Sequence, residues 1–352
     1  MAATVFFAPL PDTPPADKVE RRLKDLLTAA EFEKHLPEKD YVAVKTHFGE
    51  GNSVTHVPPR FFKPLSARIR QAGAIPFLTE TSTLYKGRRG DAVAHMLLAH
   101  EHGYTVDATE MPVIMADGLK GDYEYEVEIT PGYTVAVAGM LRKINALVCV
   151  SHPTGHIALG FGGTIKNLGM GLSSRKGKLV QHSSVKPQVN RDKCTGCGRC
   201  VKWCPSDCIT MTDKKARINW DACIGCGECL VECRFDAILY NWEMDKTRIQ
   251  ELTADHAYGV VKGRQCFYIN YALNFTKDCD CFGTVKTPVV SDLGLFASTD
   301  PVAIDEACIT IIEERNKKPL SDLTYPGLDP RIQTRRGQAL GMGTREYRLV
   351  EC

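Results

Sequence analysis

Eight cysteines in two copies of one spacing constrain this chain more than any other feature. The first copy reads VNRDKCTGCGRCVKWCPSDCITM, from Val189 to Met211, and the second INWDACIGCGECLVECRFDAILY, from Ile218 to Tyr240. Each contains C-x2-C-x2-C-x3-C, preceded by an aliphatic residue, Asn, any residue and Asp. A cubane iron–sulfur cluster needs four thiolates around a compact core. Three cysteines two residues apart wrap one such core, and Gly196, Gly198, Gly225 and Gly227 let the backbone turn close to the sulfides. The fourth cysteine of each run falls on the short helix that follows and reaches the other cluster. Two [4Fe–4S] clusters are therefore expected. Cys194, Cys197, Cys200 and Cys233 would hold one, and Cys223, Cys226, Cys229 and Cys204 the other. Zinc ribbons or redox CxxC pairs are the competing reading, and eight cysteines in duplicate register weigh against it.

This arrangement is that of a bacterial-type ferredoxin module, expected over residues 187–243. Fifteen cysteines in all, spaced as metal ligands rather than as a disulfide framework, point to a reducing cytoplasm. Cys208 aligns with Ala237 of the second copy and reads as a packing residue. Cys149 and Cys308 fall in apolar strand and helix patterns and read as core, and Cys266 begins a strand.

The flanks alternate strand-like and helix-like runs. TVFFA (Thr4 to Ala8), YVAVKTHF (Tyr41 to Phe48), IPFLTE, YEYEVEI (Tyr123 to Ile129), NALVCVS (Asn145 to Ser151), QCFYINYAL and TPVVSDLGLFAS read as strands. Helices are expected over Asp17 to His35, Pro58 to Ala72, Asp91 to His102, Met244 to Val261, and from Asp300–Pro301 to about Arg315. The fold class is α/β, with a mainly parallel sheet and flanking helices. Residues 1–186 and 244–352 would form one discontinuous α/β domain carrying the α+β ferredoxin-type insert; two independent flanking domains are the alternative.

Open α/β sheets place ligand sites at strand ends. KTHFGEGN offers Lys45 and His47. SHPTGHIALGFGGTIKNLGMG, Ser151 to Gly171, offers His152, His156, Lys166 and a density of glycine suited to close backbone approach. These five are the candidate catalytic residues. Neither a Walker A loop nor a G-x-G-x-x-G order is present there. SSRKGK (Ser173 to Lys178) reads as a basic loop, solvated or holding an anion. In KDCDCFG, Cys279 and Cys281 point the same way from an extended loop and are candidates for an additional metal or third cluster, with His152, His156 or His182 as partners; a reduced, unligated pair and CxC disulfide chemistry are the alternatives. Asp300 reads as a helix cap, and Asp305 one turn later as a second cap or a ligand-orienting group.

VAVKTHFGEGN, GHIALGFGGTIKNLGMG, DCDCFG, LGLFASTDPVAIDEA and GMGTREYRLV, with the double-cluster module among them, resemble the iron–sulfur centre proteins of domain-of-unknown-function family 362. The resemblance implies an α/β domain with a ferredoxin insert. It supplies neither substrate nor catalytic residue.

Hydrophobic residues make up 43% of the 352 and charged residues 24%, enough for a sizeable core, while a net charge of +2 gives no basic excess for nucleic acid. No apolar run reaches the roughly 18 residues of a membrane helix. MAATVFFAPLPDTPP lacks a basic start and is interrupted by prolines, so no signal peptide is expected. The expected function is oxidoreduction, with electrons passing from the two clusters to a site in the α/β domain. An electron-transfer subunit docking to a larger complex, or a metallocentre assembly factor, are the alternatives. A redox partner protein (a ferredoxin or reductase) and a small-molecule substrate are the expected partners.

Overall fold

The computed structural model describes residues 2–85, 87–182, 187–223, 225–239 and 245–352. The expected module end at 243 and helix start at Met244 lie outside the described residues. Eight strands form the main sheet: β1 (Ala3–Pro9), β2 (Tyr41–Lys45), β3 (Ile75–Glu80), β4 (Val113–Met115), β5 (Ala146–Ser151), β6 (Gln265–Ala272), β7 (Gly294–Ser298) and β8 (Tyr347–Glu351). Their spatial order is β8-β1-β7-β6-β5-β2-β3-β4. The run from β6 to β4 is parallel throughout; β7 is antiparallel to both its neighbours, and β8 is parallel to β1.

The central strands β2, β3, β5, β6 and β7 are buried on both faces, so their apolar runs are continuous, yet alternate residues serve different layers. Leu147 and Cys149 of β5 join one core with Tyr268, Phe296 and the helix Pro301–Asn316. Ala146, Val148 and Val150 of the same strand join the other, with Val42, Val44 and Leu78. Helix Ala16–Ala29 closes that second layer through Val19, Leu23, Leu26 and Leu27, a stripe at helical spacing.

Helix ends follow local chemistry. Asp91 caps Ala92–Glu101 by accepting the Ala94 N–H, and Asp300 caps Pro301–Asn316 by accepting those of Val302 and Ala303. The helix expected through His35 stops at Ala29, because Glu31 is left-handed and a 3-10 turn follows over Phe32–His35. Asp305 is buried and accepts from the Thr164 and Ile165 N–H groups and from Asn270 Nδ2. It therefore caps helix Thr164–Gly169, as the capping reading expects. The alternating Tyr123–Ile129 run is a strand outside the main sheet: Glu124–Thr130 pairs in a hairpin with Tyr133–Ala138. Residues 173–178 are no solvated loop, which corrects the expectation. They lead into helix Arg175–His182, where Arg175 and Lys178 are buried by partners from other segments.

The cysteine-rich segment builds separate small sheets. Gln188–Val189 pairs with Ile238–Leu239, and Ile209–Thr212 with Lys215–Ile218, both antiparallel. The segment lies in sequence between β5 and β6, which pair with each other in parallel. Cys208 is buried there and Cys149 and Cys308 are in the main core, each as expected.

Replacing Asp305 with Ala leaves three buried donors without an acceptor. Urea unfolding is expected to show a loss of about 3 kcal/mol, concentrated in a helix that forms one wall of the cavity described next.

Candidate functional site

The chain leaves β2 toward β3 on one side and leaves β5 toward β6 on the other. The carboxyl ends of β2 and β5 therefore diverge, and such a switch point opens a crevice. A cavity of about 670 Å³ lies there, lined by residues that follow β2, β3, β5 and β6 and by helix Thr164–Gly169.

Of the sequence-derived candidates, His47, His152, His156, Lys166, Cys279 and Cys281 line this cavity. Lys45 lies behind the wall. Its fully buried Nζ is 2.8 Å from Glu80 Oε1, 2.7 Å from Asn167 Oδ1 and 3.1 Å from the Thr46 carbonyl. It is thus saturated, and it acts on the cavity through Glu80 and Asn167, which do line it.

The two strand-end histidines differ in charge. His152 donates from Nδ1 to Asp280 Oδ2 at 2.6 Å and from Nε2 to the Leu273 carbonyl at 2.8 Å. Burial works against its charge, but Asp280 and the carbonyl outweigh burial and raise its pKa. Asp280 shifts the other way: burial opposes its charge, yet His152 and the Thr55 hydroxyl hold it below the usual carboxylate range. His47 is neutral, because burial and the Arg89 cation 3.0 Å from its Nε2 push its pKa well down. Arg89 is in turn held by Glu50 at 2.9 Å.

His156 is also kept neutral, by burial and then by Lys166. Its Nδ1 accepts the backbone N–H groups of Ala158 and Leu159, both at 3.1 Å, so Nε2 carries the proton. Lys166 makes no hydrogen bond or ion pair with the described residues, and burial with the Arg89 charge brings its pKa down to about 8.

Cys279 and Cys281 are joined to each other in a disulfide. A ring nitrogen of His156 and the two sulfurs all lie within 4.8 Å of one another. The pair can therefore act as thiolate ligands only after reduction. Gly155 allows this approach: its N–H donates to the Thr276 carbonyl at 2.8 Å, and a Cβ there would stand 2.3 Å from the Lys277 carbonyl.

Cys194, Cys197, Cys200 and Cys233 line one small cavity, and Cys204, Cys208, Cys223, Cys226 and Cys229 another. Leu84 and Leu179 of the α/β part share an apolar cluster with these cysteines, and Leu84 also lines the large cavity. At Gly227, beside Cys226, a Cβ would lie 3.2 Å from both Leu84 and Arg175. Arg175 pairs with Glu228 at 3.1 Å, and Lys120 with Glu232 at 2.6 Å.

Glu80, Leu84, Tyr85 and Arg89 line the site but were not foreseen, and Lys178, the last residue of the SSRKGK stretch, lines it too. Glu80 ends a strand beside β2, and that adjacency to the switch point is the signal that could have found it. Arg89 carries no motif.

Because His152 has a raised pKa and Asp280 a lowered one, their pairing is fully stabilising between about pH 4 and 6.5. It weakens below that window as Asp280 protonates and above it as His152 loses its proton. Asp280→Asn is expected to cost about 3–5 kcal/mol at pH 6 and to flatten the alkaline decline, read by denaturant unfolding against pH.

Parts of this chain are similar to known proteins. The ferredoxin-type protein NapF of Haemophilus influenzae is 50% identical over 38 residues, 11% of this chain and 22% of that protein. The pyruvate synthase subunit PorD of Methanothermobacter marburgensis is 42% identical over 48 residues, 14% of this chain and 56% of that protein. The chain thus matches only about a fifth and just over half of the length of these curated relatives. Among solved structures, the lactate racemase apoprotein from Thermoanaerobacterium thermosaccharolyticum is similar over 76% of this chain and 50% of that one, with a TM-score of 0.41 and 13% identity. The domain of unknown function DUF362 matches residues 42–310, most of the chain, and the protein belongs to that family.

Proposed function

We propose that this chain is an iron–sulfur electron-transfer protein whose two cysteine quartets hold [4Fe–4S] clusters and feed the cavity at the switch point. The donor chemistry fits. One small cavity is lined by four cysteines and the other by five, Cys208 being the fifth, with no histidine in either, and the fourth cysteine of each motif lines the cavity of the other motif. Four thiolates also suit zinc, but this exchange of the fourth ligand is the habit of two-cluster ferredoxins. Backbone N–H groups already point at the sulfurs: Ala216 to Cys194 at 3.4 Å, Gly225 to Cys223 at 3.4 Å and Ala237 to Cys233 at 3.3 Å. Such hydrogen bonds favour the more negative, reduced state of a cluster. The similarity to ferredoxin-type proteins over short stretches agrees with this reading.

When bound, the clusters supply one-electron transfer. The observation that carries the proposal is Leu84, which packs against the cysteine module on one side and lines the large cavity on the other. The ion pairs of Arg175 with Glu228 and Lys120 with Glu232 hold the second quartet at that wall. Cys197 of the first quartet is exposed, which suits it to face a redox partner. Lys166, without an anionic partner among the described residues, suits the cavity to a small anionic substrate.

A second reading has one observation in its favour. Cys279, Cys281 and His156 are close enough to hold a metal once the disulfide is reduced, as a metallocentre assembly factor would require.

Reduced anaerobically with dithionite, the protein is expected to give about two cluster spins per chain by electron paramagnetic resonance, and Cys226→Ala about one. Absence of any cluster signal contradicts the proposal. Binding of a small dicarboxylate, followed by calorimetry, is expected to weaken about tenfold per pH unit above about pH 8, where Lys166 loses its charge, and to be lost in Lys166→Met. A pH-independent affinity, or an unaffected variant, removes Lys166 from substrate binding.

A further inference from the structure

We infer that Cys279–Cys281 is a redox-active disulfide: it is the two-electron acceptor of the cavity, and the His156 Nε2–H steadies the thiolate formed when it opens. The inference rests on the electron-transfer reading above and gives the delivered electrons a destination.

The disulfide lies in the wall of the same cavity that Leu84 connects to the cysteine module. It is the only disulfide among the described residues; of the other thirteen cysteines, eight are the proposed cluster ligands and five are unbonded. In a chain whose cysteines otherwise serve as metal ligands or unbonded thiols, a lone disulfide is more often transient and chemical than structural. A structural purpose is weak on physical grounds as well, since bridging residues only two apart closes a very short loop and removes little chain entropy.

The loop is built to hold its sulfurs still whether bonded or not. Asp280 is anchored by His152, Ser53 and Thr55, and its carbonyl accepts the Glu50 N–H at 3.1 Å. Tyr85 donates to the Cys281 carbonyl at 3.3 Å. Opening the S–S bond therefore needs no rearrangement of the backbone, and the two sulfurs remain neighbours for reclosure.

His156 decides between thiol chemistry and metal chemistry. Its Nδ1 is committed as an acceptor to two backbone N–H groups, which leaves Nε2 protonated. A neutral histidine in that tautomer offers a donor, whereas metal ligation would require it to give up those backbone bonds or that proton. A ring nitrogen of His156 lies within 4.8 Å of both sulfurs, and the N–H at Nε2 is the one not committed to the backbone and so the one able to serve a thiolate.

The step balances as follows. Two electrons, arriving one at a time from a low-potential one-electron donor, break the S–S bond. One sulfur takes a proton from solvent and becomes a thiol. The other remains a thiolate and accepts the His156 Nε2–H. The reverse half passes both electrons and the proton to a small two-electron acceptor bound beside Lys166, and the disulfide closes again.

The test uses the anaerobic, cluster-loaded protein and reduced methyl viologen as donor. Reductive titration is expected to consume about four electrons per chain in the wild type and about two in Cys279→Ser/Cys281→Ser. After quenching with iodoacetamide, the peptide carrying both cysteines is expected to be doubly alkylated in the wild type and to stay bonded in Cys226→Ala, where cluster two is missing. Clusters that bleach while the pair stays bonded overturn this inference and leave the electron-transfer reading standing. Absence of reducible clusters overturns that reading, and this inference with it. A stoichiometric metal on the reduced pair that blocks alkylation also overturns the inference. In a dithiothreitol buffer, His156→Ala is expected to move the equilibrium about tenfold toward disulfide, and His156→Gln, which keeps an N–H donor, to restore most of it. An equilibrium unmoved in both variants removes His156 from this role.

Discussion

The Asp280 carboxylate is the interaction on which the site's construction depends. A buried charge is tolerated only when paired and hydrogen-bonded. Asp280 meets that demand by drawing in groups from three strand ends: itself after β6, His152 after β5, and Ser53 and Thr55 after β2. Those loops leave the sheet in diverging directions, and without a common anchor the switch-point crevice would have no fixed floor. Asp280 sits in a turn closed by the Phe282 N–H on the Cys279 carbonyl, and that turn brings Cys279 and Cys281 together at the cavity wall. One carboxylate thus fixes both the scaffold and the placement of the sulfurs.

A second constraint joins the two parts of the molecule. Among the described residues, the contacts between the cysteine-rich segment and the rest of the chain combine apolar packing with paired charge. Leu84 and Leu179 supply the apolar part; Arg175 with Glu228 and Lys120 with Glu232 supply the charges. Lys120 also stacks on Trp203, 3.6 Å from the ring centre, so it touches both quartet-bearing helices' surroundings at once. The buried Arg175 pair is costly to break, since either partner alone would be an unmatched charge. This explains why a stretch that reads as a solvated basic loop is instead a buried helix: its cations answer carboxylates and carbonyls supplied by distant segments.

Much of this was legible in the residues. Duplicate spacing suggests the exchange of Cys204 and Cys233 between quartets; Cys233 lines a small cavity with Cys194, Cys197 and Cys200, and Cys204 one with Cys208, Cys223, Cys226 and Cys229. Strands β2, β3, β5 and β6 were readable because they are buried on both faces, and His47, His152, His156 and Lys166 because they follow such strands. Other features depend on long-range contacts that no local pattern encodes. β4 is three residues long and β8 lies at the sheet edge, so neither carries a strong apolar signature. Arg89 enters the cavity only because Glu50 and His47, distant in sequence, hold it there. The bond between Cys279 and Cys281 was one of several states that spacing allowed, and Lys45 read as a cavity group because nothing local reveals its partner Glu80.

The central claim is that the two quartets hold iron–sulfur clusters at the wall of the switch-point cavity. Anaerobic purification followed by measurement of iron, acid-labile sulfide and other metals tests it most directly. Two cubanes predict about eight iron and eight sulfide per chain, with no other stoichiometric metal. About two zinc per chain without sulfide would contradict the account, because the cysteines would then be structural and the cavity would have no source of electrons.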